Sequence, residues 1–285
     1  MNKRLSRRNR NGFNRKLLIS LLSVGVFGAT IVGVCSYHTD AKTVKRITKI
    51  NNEIALNTSN KISKQAPTEA FLRSKDIQFD MPVDSISVTD LYKQSKAVRE
   101  SDLIRRGEIK VADIGLRTSI YEGTNLKQLS NGVGTASDSE KLGEGLYAVA
   151  GYNFVGTKKS EQFLLSPLQK EVAPYEFINN KESLKPYLNI KKGMEIKAAD
   201  NEMVYTYKVS NTFVTNSANV TDIQHELEGL VEAGDTKPLI TLITSLNVQG
   251  DYETDKSIVV VGELDSKKDL TDERELLFFK TKELS

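Results

Sequence analysis

The longest apolar run stands near the start of the chain, where Leu17 to Tyr37 forms 21 residues without Asp, Glu, Lys or Arg. As a helix rising about 1.5 Å per residue, such a run matches a bilayer core of about 30 Å. Past it the pattern changes to steps of three and four: Val44, Ile47, Ile50 and Ile54 share one helical face. Within the polar stretch 38–77 this reads as a partly helical stalk. A second helix is predicted from Val88 to Arg106, with Val88, Leu91 and Val98 on one side. From Glu108 onward the period falls to two, as in Ile109-Lys110-Val111-Ala112-Asp113-Ile114, and Gly115 closes the run. Seven glycines between Gly123 and Gly156 cut the middle of the chain into brief segments. Later strands are predicted at Met203–Thr215, Pro238–Leu246 and Ser257–Leu264, all rich in Val, Ile, Thr and Tyr. Many short strands with few helices imply a single all-β barrel or sandwich. The charged tail 266–285 reads as helical around Thr271 to Lys280.

Charge decides the orientation of the first segment. Residues 1–16 hold Lys3, Arg4, Arg7, Arg8, Arg10, Arg15 and Lys16 and no acid, so of the net +3 they contribute +7 and the remainder carries −4. A basic tail before an apolar span stays cytoplasmic, which leaves the rest of the protein outside the cell. A cleaved signal peptide after Thr39-Asp40-Ala41 is the weaker reading, because signal cores rarely exceed about 15 apolar residues. A lipoprotein reading of Cys35 fails on Val34, where a small residue is expected. The acidic remainder argues against nucleic acid as a partner, since binding it takes a basic face. Charged residues at 27% and hydrophobic residues at 39% describe an ordinary folded domain, not a disordered one.

Candidate chemistry is sparse. Cys35 is the single cysteine, and His38 and His225 are the only histidines, so the region beyond the apolar span holds no thiol, no disulfide and no Cys/His zinc site. Phosphate-binding glycine loops, dinucleotide fingerprints and G-x-S-x-G elbows are absent. Acid pairs such as Glu226 with Glu228, or Asp251 with Glu253, read as solvated loop charges, and nothing marks a calcium site. No cofactor is expected.

The segment Thr241-Leu242-Ile243-Thr244-Ser245 resembles the TLITC block of class A sortases, the transpeptidases that attach surface proteins to Gram-positive cell walls. Other blocks follow in the family's order: Gly107-Glu108-Ile109, Ile114-Gly115-Leu116, Ile120 to Thr124 and Leu129 to Thr135. Gly143 to Gly151, Leu165-Ser166-Pro167-Leu168, Val204 to Val209 and Ile258 to Gly262 complete the series. The resemblance spans roughly 78–265 and implies a twisted eight-stranded sortase-like β-barrel with short helices, preceded by the 17–37 transmembrane anchor. In the family a cysteine attacks an LPXTG-like sorting signal, a histidine moves the proton, an arginine stabilises the developing oxyanion, and a cell-wall amine resolves the thioester.

All three positions are altered here. The family's Ala-Gly-His matches Ala150-Gly151-Tyr152, its Thr-Cys matches Thr244-Ser245, and its arginine falls on Ser257, with Lys256 as the neighbouring alternative. A serine lacks nucleophilicity without a positioned base, and a tyrosine with a pKa near 10 stays protonated at neutral pH. Tyr152, Ser245 and Ser257 therefore mark the site of an expected pseudo-sortase, a membrane-anchored surface protein that binds sorting signals, wall precursors or another protein. The alternative is a residual peptidase or transpeptidase acting through Ser245. His225 falls in the stretch from Thr215 to Lys237, which corresponds to the loop that recognises the sorting signal in sortases, and a lone loop histidine there reads as a surface residue.

Overall fold

The computed structural model describes residues 41–55, 72–73, 75–79, 86–137, 141–155, 164–249 and 255–270. The expected membrane span at 17–37, with Cys35 and His38, and the tail helix at 271–280 lie outside them. Among the described residues no helix is long and apolar enough to cross a membrane.

Eight strands close into a barrel in the order β1-β2-β3-β4-β7-β8-β6-β5. They are β1 Arg105–Val111, β2 Leu116–Tyr121, β3 Val133–Thr135, β4 Leu146–Ala150, β5 Glu195–Ala199, β6 Met203–Asn216, β7 Leu239–Ser245 and β8 Lys256–Asp269. Closure leaves no free sheet edge to template aggregation. The β2–β3 and β4–β7 pairs are parallel and the others antiparallel. The four strands read most clearly from the sequence are β1, β6, β7 and β8. β8 continues to Asp269, paired with Met203, so the barrel runs past the boundary expected at 265.

Side chains alternate across these strands and both faces are buried. Ile240, Leu242, Ile258 and Val260 line the interior with Ile109, Val149, Ile196 and Tyr207. Their neighbours Leu239, Ile243, Val259 and Val261 point outward into a second cluster with Ala148 and Ala150. Double-sided burial is why the β7 and β8 sequences run almost continuously apolar instead of alternating. At about 25 cal/mol per Å², each fully buried Leu, Ile or Val contributes roughly 1.5–3 kcal/mol.

The outer cluster is covered by a helix, Val220–Glu232, whose Val220, Leu227 and Val231 pack on it. The stretch from Thr215 to Lys237 was expected to be a loop; it holds this 13-residue helix instead. The i, i+4 spacing of Leu227 and Val231 is a helical signal hidden by the surrounding acids.

Two further corrections concern the N-terminal side. The helix predicted over 88–106 spans only Val88–Ala97, capped by the Ser87 hydroxyl, which accepts from the Asp90 amide at 3.1 Å. Val98 is extended and β1 already begins at Arg105. The helical stretch 41–55, expected to form a stalk, has its apolar side packed on the domain. Val44 and Ile47 join Val88, Leu91 and Leu164, while Ile54 joins Leu103 and Tyr121. Arg105, itself buried, donates to the Ala55 carbonyl and ties the end of that stretch to β1.

The chain reversal after β2 depends on Gly123, with φ +83° and a position where a Cβ would lie 2.4 Å from Ile77 and 2.7 Å from the Gln78 carbonyl. Beside it Glu122 is buried and paired with Arg106, and Thr135 Oγ1 donates to it at 3.3 Å. Burying an acidic side chain is costly without such partners.

Candidate functional site

The parallel register of β4 and β7 sets Ala150 beside Ile243. One residue on, the Gly151 amide donates to the Ile243 carbonyl at 3.1 Å, and Thr244 Oγ1 donates to the Gly151 carbonyl at 2.7 Å. The chain leaving β4 is thereby held against the end of β7. Gly151 is needed for this approach, since a Cβ there would lie 2.8 Å from Val133 Cγ1.

Beneath the end of β7 a web of carboxamides fixes three separate segments. Asn153 Nδ2 donates to the Ser245 carbonyl at 3.0 Å and to Gln169 Oε1 at 2.8 Å. Asn247 Nδ2 donates to the Asn153 carbonyl at 3.0 Å, and the Asn247 amide donates to Gln169 Oε1 at 2.9 Å. Gln169 Nε2 in turn donates to the Asn247 carbonyl at 2.7 Å. Asn153 and Gln169 are buried, so each of these bonds stands in place of water and rigidifies the site. Sequence reasoning missed all three residues. They are 16 and 78 positions apart along the chain, and no local pattern pairs them.

Ser245 and Ser257 are register partners across β7 and β8. Ser245 shares its strand face with Ile243, and Ser257 shares its face with Val259, so both lie on the outer side that carries the second cluster. Ser245 is exposed, whereas Ser257 is buried. The Ser257 hydroxyl lies 2.9 Å from that of Ser217, whose amide donates to the Asp255 carbonyl at 2.6 Å. Ser217 opens the turn into the covering helix, so this hydroxyl pair ties the root of the helix to β8. Ser217 is a fourth residue the sequence reading missed.

Tyr152 follows Gly151 and so its backbone arrives beside the end of β7. Its ring, however, turns into the cluster of Val44, Ile47, Val88, Leu91 and Leu164, with Phe154 at 5.9 Å between ring centroids. The two serines share a face; the tyrosine ring is engaged with the N-terminal helical stretches. Lys256, the neighbouring alternative to Ser257, faces the other side of β8 and bonds to Asn216 Oδ1. His225 is exposed on the helix Val220–Glu232. Among the described residues no group of three or more His, Cys, Asp or Glu side chains stands ready for a metal.

Chemically, the site offers hydroxyls and carboxamides. A Ser–Ser hydrogen bond contains no base that could take a proton near neutral pH.

A family model described as the sortase domain matches residues 109–265, more than half of the chain. The chain is 27% identical over 209 residues to sortase A of Listeria monocytogenes, covering 73% of this chain and 78% of that protein. It is 25% identical over 184 residues to sortase A of Streptococcus agalactiae, covering 64% and 61%. Among solved structures, Listeria monocytogenes sortase A aligns over 62% of this chain and 97% of that one, with 28% identity and a TM-score of 0.44.

Proposed function

The chain belongs to the sortase family, and from that premise we propose that it is a catalytically silent member whose site binds without turning over. The observation that carries this reading is the pair at the ends of β7 and β8. Where the family's pattern has a thiol and a guanidinium, Ser245 stands as a plain hydroxyl and Ser257 has its hydroxyl engaged with Ser217. The single thiol of the chain is Cys35, in the apolar run. Thioester chemistry at the barrel therefore has no nucleophile, and loss of one member of such a catalytic unit already costs orders of magnitude. The ligand we propose is an extended peptide of the sorting-signal kind, with the protein held at the membrane by residues 17–37 and the barrel outside the cell.

The test is an assay of the full chain in detergent with an LPXTG-type peptide, with and without an amine acceptor. Cleavage or transfer at the level of a boiled control is expected, together with saturable binding of the peptide by calorimetry. Turnover that vanishes on Ser245→Ala would overturn the reading.

A further inference from the structure

Around Lys256, at the paired ends of β6 and β8, a cleft of about 220 Å³ opens. Its apolar walls are Ile178, Leu184 and Val214, and Val214 and Leu184 belong to the interior core. The polar lining is Asn179, Thr215, Asn216, Asn219 and Lys256. We infer that this cleft is a binding site for the free C-terminal end of a peptide whose last side chain is small and apolar.

The charge comes first. Lys256 is the cation of the lining, and its side chain is only 15% exposed. Among the described residues its one carboxylate neighbour is Asp255, 3.9 Å away and 75% exposed, a distance and exposure at which an ion pair gives little. Its closer partner is the neutral Asn216 Oδ1. A lysine nitrogen whose closer partner is a neutral acceptor gains from an incoming anion, since a charge-assisted bond is about twice as strong as a neutral one.

The rest of the lining selects among anions. Asn219 precedes the helix Val220–Glu232, yet its side chain makes no capping bond to that helix, which leaves a carboxamide for the ligand. Asn179 and Asn219 together offer donors and acceptors matched to the N–H and C=O of a peptide bond next to a terminal carboxylate. The walls of Ile178, Leu184 and Val214 call for an apolar group, which inorganic phosphate or a sugar acid would leave unfilled. The volume lies below the ~300–1,000 Å³ of sites for drug-sized ligands, so one or two residues fit and a long acyl chain does not.

The proposal does not rest on the reading given above for Ser245 and Ser257, because its cation, Lys256, leaves β8 on the side away from Ser257 and bonds to Asn216. The probe is N-acetyl-Ala-Ala with a free carboxylate, titrated into the full chain in detergent and followed by calorimetry and saturation-transfer NMR. Saturable binding is expected, weakened by about tenfold or more when the carboxylate is amidated or on Lys256→Met. Asn219→Asp serves as the second variant: an acid at that position suits the start of a helix, so folding survives, while its charge repels the ligand. Retention of fold is checked by circular dichroism. No binding up to about 10 mM, equal binding of the amidated peptide, or equal binding of acetate would each overturn the inference.

Discussion

Ser245 and Ser257 face each other as the last register pair of the β7–β8 ladder, and the second of them is held by Ser217 at 2.9 Å. The same bond anchors the covering helix at its root. Removing either hydroxyl leaves its partner half-satisfied in a buried or half-buried place. Ser257→Ala and Ser217→Ala should each cost about 1 kcal/mol, and the double variant should cost less than their sum. Urea unfolding of the four species reads the coupling. Strict additivity would mean that the pair contributes nothing.

The helical stretch 41–55 is docked on the helix Val88–Ala97 and on Leu164 through Ile47, whose side chain is fully buried. Ile47→Ala should destabilise the protein by about 2–4 kcal/mol through lost transfer energy and the cavity left behind. A free stalk would tolerate the change within about 0.5 kcal/mol. The midpoint of urea unfolding separates the two, and it also reports on Tyr152, whose ring packs in the same cluster.

Glu108 gives the domain a defined pH response. It pairs with Arg105 at 3.2 Å and Arg117 at 3.4 Å, yet burial outweighs these cations and pushes its carboxyl above the ordinary range. The native state thus holds this proton more tightly than the unfolded chain does. Stability from this group is fully present below the unfolded pKa of about 4.3 and is lost as pH rises through the higher native value. The stability of the parent relative to Glu108→Gln should therefore fall between pH 4 and pH 7. A difference that is flat or rises with pH would show that the arginines win.

Much of the barrel was legible because β6, β7 and β8 are long β-branched runs, and period and propensity agree along them. The assignment of positions 152, 245 and 257 rests on resemblance, by counting along blocks such as Thr241 to Ser245. The helix Val220–Glu232 was not legible, because its apolar side is only Val220, Leu227 and Val231 among acids. The docking of 41–55 was not either: Val44, Ile47 and Ile54 announce an amphipathic helix, but a period cannot say what the apolar face meets. The web of Asn153, Gln169 and Asn247 depends on tertiary contacts alone, and the bond between Ser257 and Ser217 spans 40 positions.

Restoring the family's three residues is the most searching experiment, and the structure changes what it must overcome. Ser245→Cys places a thiol at an exposed position and costs little. Ser257→Arg puts a long cation where a buried hydroxyl meets Ser217, so the root of the covering helix must shift. Tyr152→His withdraws a ring from the cluster with Val44, Ile47 and Phe154, and frees an imidazole only if it turns toward β7. The triple variant should fold with stability reduced by a few kcal/mol, of the order seen for large core truncations. Its thiol should titrate below the usual value near 8.5, because an imidazolium and a guanidinium both favour thiolate. The rate of alkylation by iodoacetamide against pH reads this directly. Ser245→Cys alone should show an ordinary thiol, and each single variant should remain inert toward an LPXTG-type peptide, since parts of one catalytic unit are strongly non-additive. Identical thiol titration in the single and triple variants would mean that positions 152 and 257 do not reach position 245. The likeness of this site to a sortase centre would then stop at the backbone.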